Sequence, residues 1–387
     1  MRRPSLIKIF LSFLALGSYA YGGPAMVVYI KDLAVRRNKW LDEDTFKNGI
    51  VLCQSVPGAI AMQVAAYVGL KTRGTAGAIL SYLGFGIPAF IFMTILAYLY
   101  TRFHALPQVE ALFMGLKVII VAIIVNAASS FSKSAVKDYR DVLIALASAA
   151  LFRVGVSPFL VIVGAASAGF LLFNEIASGK KIAPEKYDSS GLKYIIGIII
   201  LLCTGMVFLY YTNNGLMKVA AVMLKIDLFA FGGGFAALPL MLHQVVDVKG
   251  WIDSKTFMDG IALGQITPGP IIITATFIGY LLYGFAGALV STVAILTPSL
   301  LVVLLTAPFF DRLRNSRFFL RATRAILATF VGLLLFVAIK FALSISWTVL
   351  SAIICIVAFT ALFKKVHVLY VVFAGVLISI ALIKHVS

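Results

Sequence analysis

Two short stretches set amide and hydroxyl side chains beside proline and glycine: Gln54-Ser55-Val56-Pro57-Gly58-Ala59 and Gly264-Gln265-Ile266-Thr267-Pro268-Gly269-Pro270. Each follows a glycine-rich stretch, Gly22-Gly23-Pro24 in the first case and Phe231-Gly232-Gly233-Gly234, with Pro239 soon after, in the second. Proline removes a backbone donor and clashes with the preceding helical turn, while glycine permits left-handed or tight backbone. Such runs interrupt a helix and leave N–H and C=O groups without helical partners. Free N–H groups at the start of a half-helix favour an anion, through clustered donors and the helix macrodipole. Gln54, Gln265 and Thr267 would add neutral side-chain donors. The chemistry open to this set is to hold a tetrahedral oxyanion by many hydrogen bonds, without a full countercharge.

Charged side chains within apolar runs are few. Lys117 lies about 8 residues into its helix, roughly 12 Å deep at 1.5 Å per residue. Burying it there costs about 2.5–3.5 kcal/mol on insertion scales, which marks it as a functional candidate, with snorkelling to the surface as the alternative. Asp227, one turn before Phe231, and Asp259, just before Gly260, are candidates for ion coupling. Each also lies near the end of an apolar run, where a carboxylate is cheap to expose. The cysteines Cys53, Cys203 and Cys355 are far apart, and the four histidines have no ligand spacing. No metal or other cofactor is therefore expected. No Ser–His, metal or paired-Asp centre of an intramembrane protease is present, so the chain does not read as an enzyme.

The elements that must position these residues are long apolar helices. Of 387 residues, 61% are hydrophobic and 12% charged, about half of what a soluble surface needs. A bilayer core about 30 Å thick takes about 20 apolar residues in a helix. By that length the chain shows thirteen candidate spans: 9–30, 49–70, 75–100, 109–131, 141–156, 157–173, 194–211, 219–242, 260–283, 286–309, 318–341, 344–363 and 368–383. The pair 141–156 and 157–173 is short enough to form a hairpin that does not fully cross. The +18 net charge is not the mark of a nucleic-acid partner, because the basic residues fall between the apolar runs, as the positive-inside rule requires. Most of them collect on the side of the N-terminus, which is expected to be cytoplasmic. The loop 31–47, with five Lys or Arg among Asp32, Asp42, Glu43 and Asp44, is expected on the other side. Arg2, Arg3 and the apolar run that follows look like a leader peptide, but Lys8 interrupts that run and the motif after it recurs later in the chain, so retention is expected.

That recurrence runs through the sequence. At an offset of 210 or 211, Ala20-Tyr21-Gly22-Gly23 meets Ala230-Phe231-Gly232-Gly233, Trp40 meets Trp251, and Gln54 with Pro57-Gly58 meets Gln265 with Pro268-Gly269. Further on, Gly69, Gly74, Gly77, Pro88 and Arg102 meet Gly279, Gly284, Gly287, Pro298 and Arg312. This is an internal duplication. The expected organisation is a first repeat over 1–180, a linker with one extra span over 181–215 and a second repeat over 216–387. Six spans, one span and six spans place the second repeat in the membrane upside down. Inverted repeats with a midplane site are a transporter design, since rocking one repeat against the other gives alternating access. The six glycines of that last alignment read as close-packing positions.

With these motifs in place, the chain resembles the two-domain form of the chromate ion transporter family. The likeness rests on Gly22-Gly23-Pro24, Trp40 and Gln54-x-x-Pro57-Gly58, then on Phe231-Gly232-Gly233-Gly234, Pro239, Trp251, Asp259-Gly260, Gly264-Gln265-x-Thr267-Pro268-Gly269-Pro270 and Thr274-Ala275-Thr276-Phe277-Ile278-Gly279-Tyr280. Tyr21 in place of Phe and Ala59 in place of the second proline of Pro-Gly-Pro are departures from the pattern. The second suggests a less rigid site in the first half. The resemblance implies a multi-pass plasma-membrane protein, inner membrane if bacterial, that exports chromate, with sulfate as a related or competing anion and an ion gradient as the drive. The expected partners are that small oxyanion, the lipid bilayer and a second copy of the chain, not nucleic acid. An anion channel of the same architecture is the alternative.

Overall fold

The computed structural model describes residues 4–22, 24–174 and 192–386. Gly23 and the first part of the expected linker lie outside them. Among the described residues the regular structure is helical, with one isolated bridge between Pro57 and Phe231. The first repeat contains α1 (Leu6–Tyr19), α2 (Pro24–Lys31, continued by a π-helical turn to Arg37), α3 (Glu43–Ser55), α4 (Ile60–Phe103), α5 (Pro107–Ala135), α6 (Tyr139–Arg153) and α7 (Pro158–Leu172). After α8 (Leu192–Thr212) come α9 (Asn214–Phe229), α10 (Ala237–Met241, continued by a π-helical turn over Leu242–Val248), α11 (Ser254–Ile266), α12 (Thr274–Thr306) and α13 (Phe310–Asn315). The last three are α14 (Arg317–Leu343), α15 (Val349–Phe363) and α16 (Val368–Val386). The duplication extends to the caps: Asp42 accepts from the Thr45 N–H at 2.8 Å to start α3, and its counterpart Asp253 accepts from Thr256 N–H at 2.7 Å to start α11.

The thirteen expected spans do not correspond one to one with long helices. Among the described residues, five helical segments are long and apolar enough to cross: Ile60–Phe103, Leu112–Ala135, Leu192–Thr212, Ile271–Phe309 and Arg317–Leu343. Four of the expected spans are hairpins of two half-helices. α3 runs down to Pro57-Gly58 and the first arm of α4 runs back beside it, so that Gly49 lies under the Tyr67 ring. α11 and the start of α12 repeat the arrangement, with Gly260 under the Phe277 ring. The other two hairpins are α1 with α2 and α9 with α10. Gly215, at the start of α9, touches Tyr283, while Asp227, near its end, bonds Ser299. α9 therefore runs inward beside the second arm of α12 before the chain turns back through α10. In the first repeat a 2.7 Å ion pair from Lys31 to Glu43 ties the returning end of α2 to the start of α3. Hydropathy misreads these hairpins because two half-helices joined at a tip hold as many apolar residues as one span.

α4 and α12 each reverse once inside what is formally one helix. Gly74 (φ +66°) and Gly284 (φ +58°) make the turns, and a Cβ on either would meet nothing within 4 Å. These two glycines serve backbone reversal rather than the close packing expected of them. The other four do pack closely, Gly69 against the Gly77 carbonyl and Gly279 against the Gly287 carbonyl. Hydroxyls lock the same seams, Ser81 donating to Ala65 O at 2.8 Å and Thr276 meeting Thr292 at 2.6 Å. α6, α7 and α15 have 15 residues each, about 22 Å of helix against a core of about 30 Å. α6 and α7 form a hairpin on α14. It is held by Arg324, which donates to Asp138 at 2.7 Å and to both oxygens of the fully buried Asp141 at 2.8 and 3.0 Å.

Candidate anion-binding site

The four hairpin tips meet at the centre of the molecule, and they meet in exchange. Gly58 N–H of the first repeat donates to Ala230 O of the second at 3.0 Å, and Gly269 N–H of the second donates to Ala20 O of the first at 2.9 Å. These two bonds are equivalents of one another under the internal repeat. They depend on left-handed backbone, with φ of +88° at Gly22, +124° at Gly58, +95° and +99° at Gly232 and Gly233, and +116° at Gly269. A side chain at these points would also collide: a Cβ on Gly269 would sit 2.6 Å from the Ala89 methyl, and one on Gly233 would sit 3.1 Å from Ile60.

The tips wall a cavity of about 650 Å³. Of the expected site residues, Gly22, Gln54, Gly232, Gly233, Gly234, Gln265, Thr267, Gly269 and Pro270 line it. Pro57, Gly58, Phe231 and Pro268 stand behind the wall and shape the tips, Pro57 and Phe231 through their backbone bridge. Pro24 begins α2 just behind Gly22. α4 begins at Ile60, and the short turn Ile271–Ile273 leads into α12; both starts lie on the cavity wall. Their first N–H groups have no intrahelical partner.

The side-chain donors divide unevenly. Gln265 is only 9% exposed, and its amide nitrogen has no hydrogen-bond partner among the described residues, so a buried donor is left for a ligand. Gln54, its counterpart, is exposed at the cavity rim. Thr267 does not play the donor role expected of it, because its hydroxyl already donates to Leu263 O at 2.8 Å. Among the described residues, the cavity wall carries no charged side chain. A neutral, donor-rich chamber suits an anion that arrives and leaves, where a full ion pair would retain it.

Several contributors escaped the sequence reading. Asn126, Ser130 and Ser134 put a polar stripe on α5 facing the cavity. Their spacing at i, i+4 and i+8 in an apolar helix was the available signal. Gln63, fully buried, donates to Pro57 O at 2.5 Å and braces the first-repeat tip. The His367 ring approaches Gly22, and no motif announces it.

The three charged candidates separate. Lys117 does not snorkel: its ammonium lies 3.2 Å from Asp259, which also accepts from Tyr100 at 2.9 Å. The ion pair joins α5 of one repeat to α11 of the other and lies outside the cavity wall. Asp227 has no cation partner among the described residues. Its two oxygens accept from Ser299 N–H at 2.7 Å and Ser299 hydroxyl at 3.0 Å, and the Ser299 oxygen in turn accepts from Ala59 N–H at 2.9 Å.

The family model described as Chromate transporter matches residues 7–170 and 217–380, one copy in each half. The chain is 41% identical to an uncharacterized transporter of Methanocaldococcus jannaschii over 97% of its own length and 94% of the relative's. It is 31% identical to a probable chromate transport protein of Synechococcus elongatus over 80% of this chain and 77% of that one. To the chromate transport protein of Cupriavidus metallidurans it is 30% identical over 80% of this chain and 75% of the relative. No solved structure matches it.

Proposed function

This chain belongs to the chromate transporter family, and on that premise we propose that it exports chromate by alternating access at the interlocked hairpin tips. The observation that carries the reading is the cavity itself: two symmetry-related tips, helix starts and the unpartnered Gln265 amide converge on a space without a charged wall. Such a site selects by oxygen count and geometry. Sulfate shares the charge and shape of chromate and should compete, whereas chloride offers no oxygen acceptors. Uptake of labelled chromate into inverted vesicles, with sulfate or chloride added, tests this. Inhibition by chloride with none by sulfate would overturn the oxyanion assignment, and flux that never saturates would identify a channel.

The same reading makes the two repeats inverted, and the count of long apolar helices supports it. The second arm of α4 and α5 cross in the first repeat, α8 crosses once more, and the second repeat therefore enters from the opposite face. On this reading the basic loop 31–47, expected on the other side, returns with the hairpins to the side of the N-terminus, near Lys71 and Arg73, and the sharper charge asymmetry supports a cytoplasmic N-terminus. Among α8 residues only Ile195 is buried, with Ile198, Met206 and Leu209 packed partly on the core, which leaves the outer face of this helix for lipid or a second copy of the chain. Cysteines placed near Glu43 should react with an impermeant reagent from the cytoplasmic side only, and cysteines near Lys255 from outside only. Labelling of both from one side would exclude inversion.

A further inference from the structure

Resting on the transport reading above, we propose that Asp227 carries the proton that moves with the oxyanion, and that it acts through Ser299 on the hairpin tip at Ala59. Asp227 is 1% exposed, and among the described residues no cation pairs with it. Lys225, on the same helix, lies 4.0 Å over the Phe159 ring instead. The groups that face Asp227 are Ser299 from α12 and Tyr82 from α4, whose hydroxyl donates to Leu296 O at 2.6 Å. α10 has no titratable side chain, His243 beyond it packs on Phe152, and none of the titratable side chains of α8 bonds to Asp227. A buried carboxylate without a countercharge is costly in a membrane interior, so binding a proton is the open alternative. Asp259 differs in this respect, since Lys117 already neutralises it.

The hydrogen bonds give the proton a consequence. With Asp227 ionised, Ser299 points its hydroxyl hydrogen at the carboxylate and keeps its oxygen free to accept from Ala59 N–H. Ala59 lies on the cavity wall, immediately before the helix that begins at Ile60. A protonated Asp227 must donate its own hydrogen, and the Ser299 oxygen is the acceptor at hand. The Ser299 hydrogen must then turn away from the carboxylate, and the oxygen, accepting from the acid with one lone pair, holds Ala59 N–H less strongly with the other, which loosens the backbone donor toward the cavity. Protonation also removes a negative charge from behind the tip. Both changes strengthen anion binding, and by linkage the anion strengthens proton binding to the same degree. In the first repeat the equivalent positions are Gly17 and Ala89, so the relay exists once and one proton moves per cycle. A doubly charged oxyanion then travels with one proton, and an inside-negative potential drives the remaining negative charge outward.

The test uses the full chain in liposomes with a trapped pH indicator, at alkaline pH where chromate is fully deprotonated. In the wild type, chromate entry should acidify the lumen. In Asp227→Asn, chromate–chromate exchange should persist while the lumen pH stays constant. If that variant fails to fold, Ser299→Ala decides, because it keeps the acid and cuts the connection to Ala59. Wild-type chromate affinity should weaken several-fold as pH rises, and Ser299→Ala should keep only the smaller part of that dependence that comes from the Asp227 charge alone. Acidification that survives Asp227→Asn, a requirement for sodium, or unchanged pH dependence in Ser299→Ala would overturn the proposal. Chromate flux without proton movement in the wild type sinks this inference alone, whereas no chromate flux at all sinks the transport reading beneath it.

Discussion

The two halves present the same tip twice but back it with different chemistry. Behind Gly58 lie Ser299 and, through it, the carboxylate of Asp227; behind Gly269 lies the methyl group of Ala89. Both tips keep the left-handed glycine and the exchanged hydrogen bond to the other repeat. Duplication has preserved the backbone that builds the chamber and let the supporting side chains diverge. One tip is wired to a titratable group and the other is packed on carbon. The side-chain donors are unequal as well, with the buried Gln265 amide unpartnered among the described residues and Gln54 exposed.

The largest effects should come from the shared backbone. Gly269→Val places a β-branched side chain at φ +116° against Ala89 and should abolish transport while the protein still inserts. Gly233→Val, at φ +99° beside Ile60, should do the same. Gly287→Val acts elsewhere, because its Cβ would strike the Gly279 carbonyl in the helix seam, so the amount of folded protein should fall instead. Quantified membrane protein and chromate flux from the same preparations separate the two outcomes. Normal transport with valine at both Gly233 and Gly269 would remove the case for a backbone site.

Next in size is the ion pair that joins the repeats. Lys117→Met leaves Asp259 buried without its cation, and breaking such a pair costs about 3–5 kcal/mol. Asp259→Asn in the same chain should recover much of that loss, since no charge then remains to be compensated. Thermal unfolding in detergent measures both. If the single variant is as stable as the wild type, Asp259 is not held ionised by Lys117, and the contrast with Asp227 loses its basis.

How much of this was legible in the sequence depends on the kind of signal. The duplication, the tips and the family could be read because each is a local motif repeated at a fixed offset. The hairpins could not, because hydropathy measures apolar length and is blind to direction. The 9–30 run has the length of one span, yet its chain reverses near Gly22. The Lys117–Asp259 pair was hidden for another reason: its members lie in different repeats, and neither has a charged counterpart at the offset that revealed everything else. Gly74 and Gly284 matched as a pair, but only their φ values tell a turn from a packing contact. Ser299 was invisible as a functional residue because its role exists only through Asp227 and Ala59.

The smallest expected effect, and the most direct measure of the asymmetry, comes from the two glutamines. Gln265 holds a buried amide donor with no partner among the described residues, so an oxyanion in the cavity can take it as a charge-assisted bond. Such bonds are worth about 1.5–3 kcal/mol, so Gln265→Ala should weaken chromate binding roughly ten- to a hundredfold. Gln54 is exposed at the rim, and an exposed amide that exchanges a bond to solvent for one to an anion gains less. Gln54→Ala should therefore weaken binding only a few-fold. Competition of each variant against labelled chromate in inverted vesicles gives the ratio directly. Equal losses would mean that the chamber is read symmetrically, and that the burial of Gln265 does not set its contribution. A larger loss at Gln54 would place the anion nearer the first-repeat tip, beside Ala59, where the Ser299 relay ends.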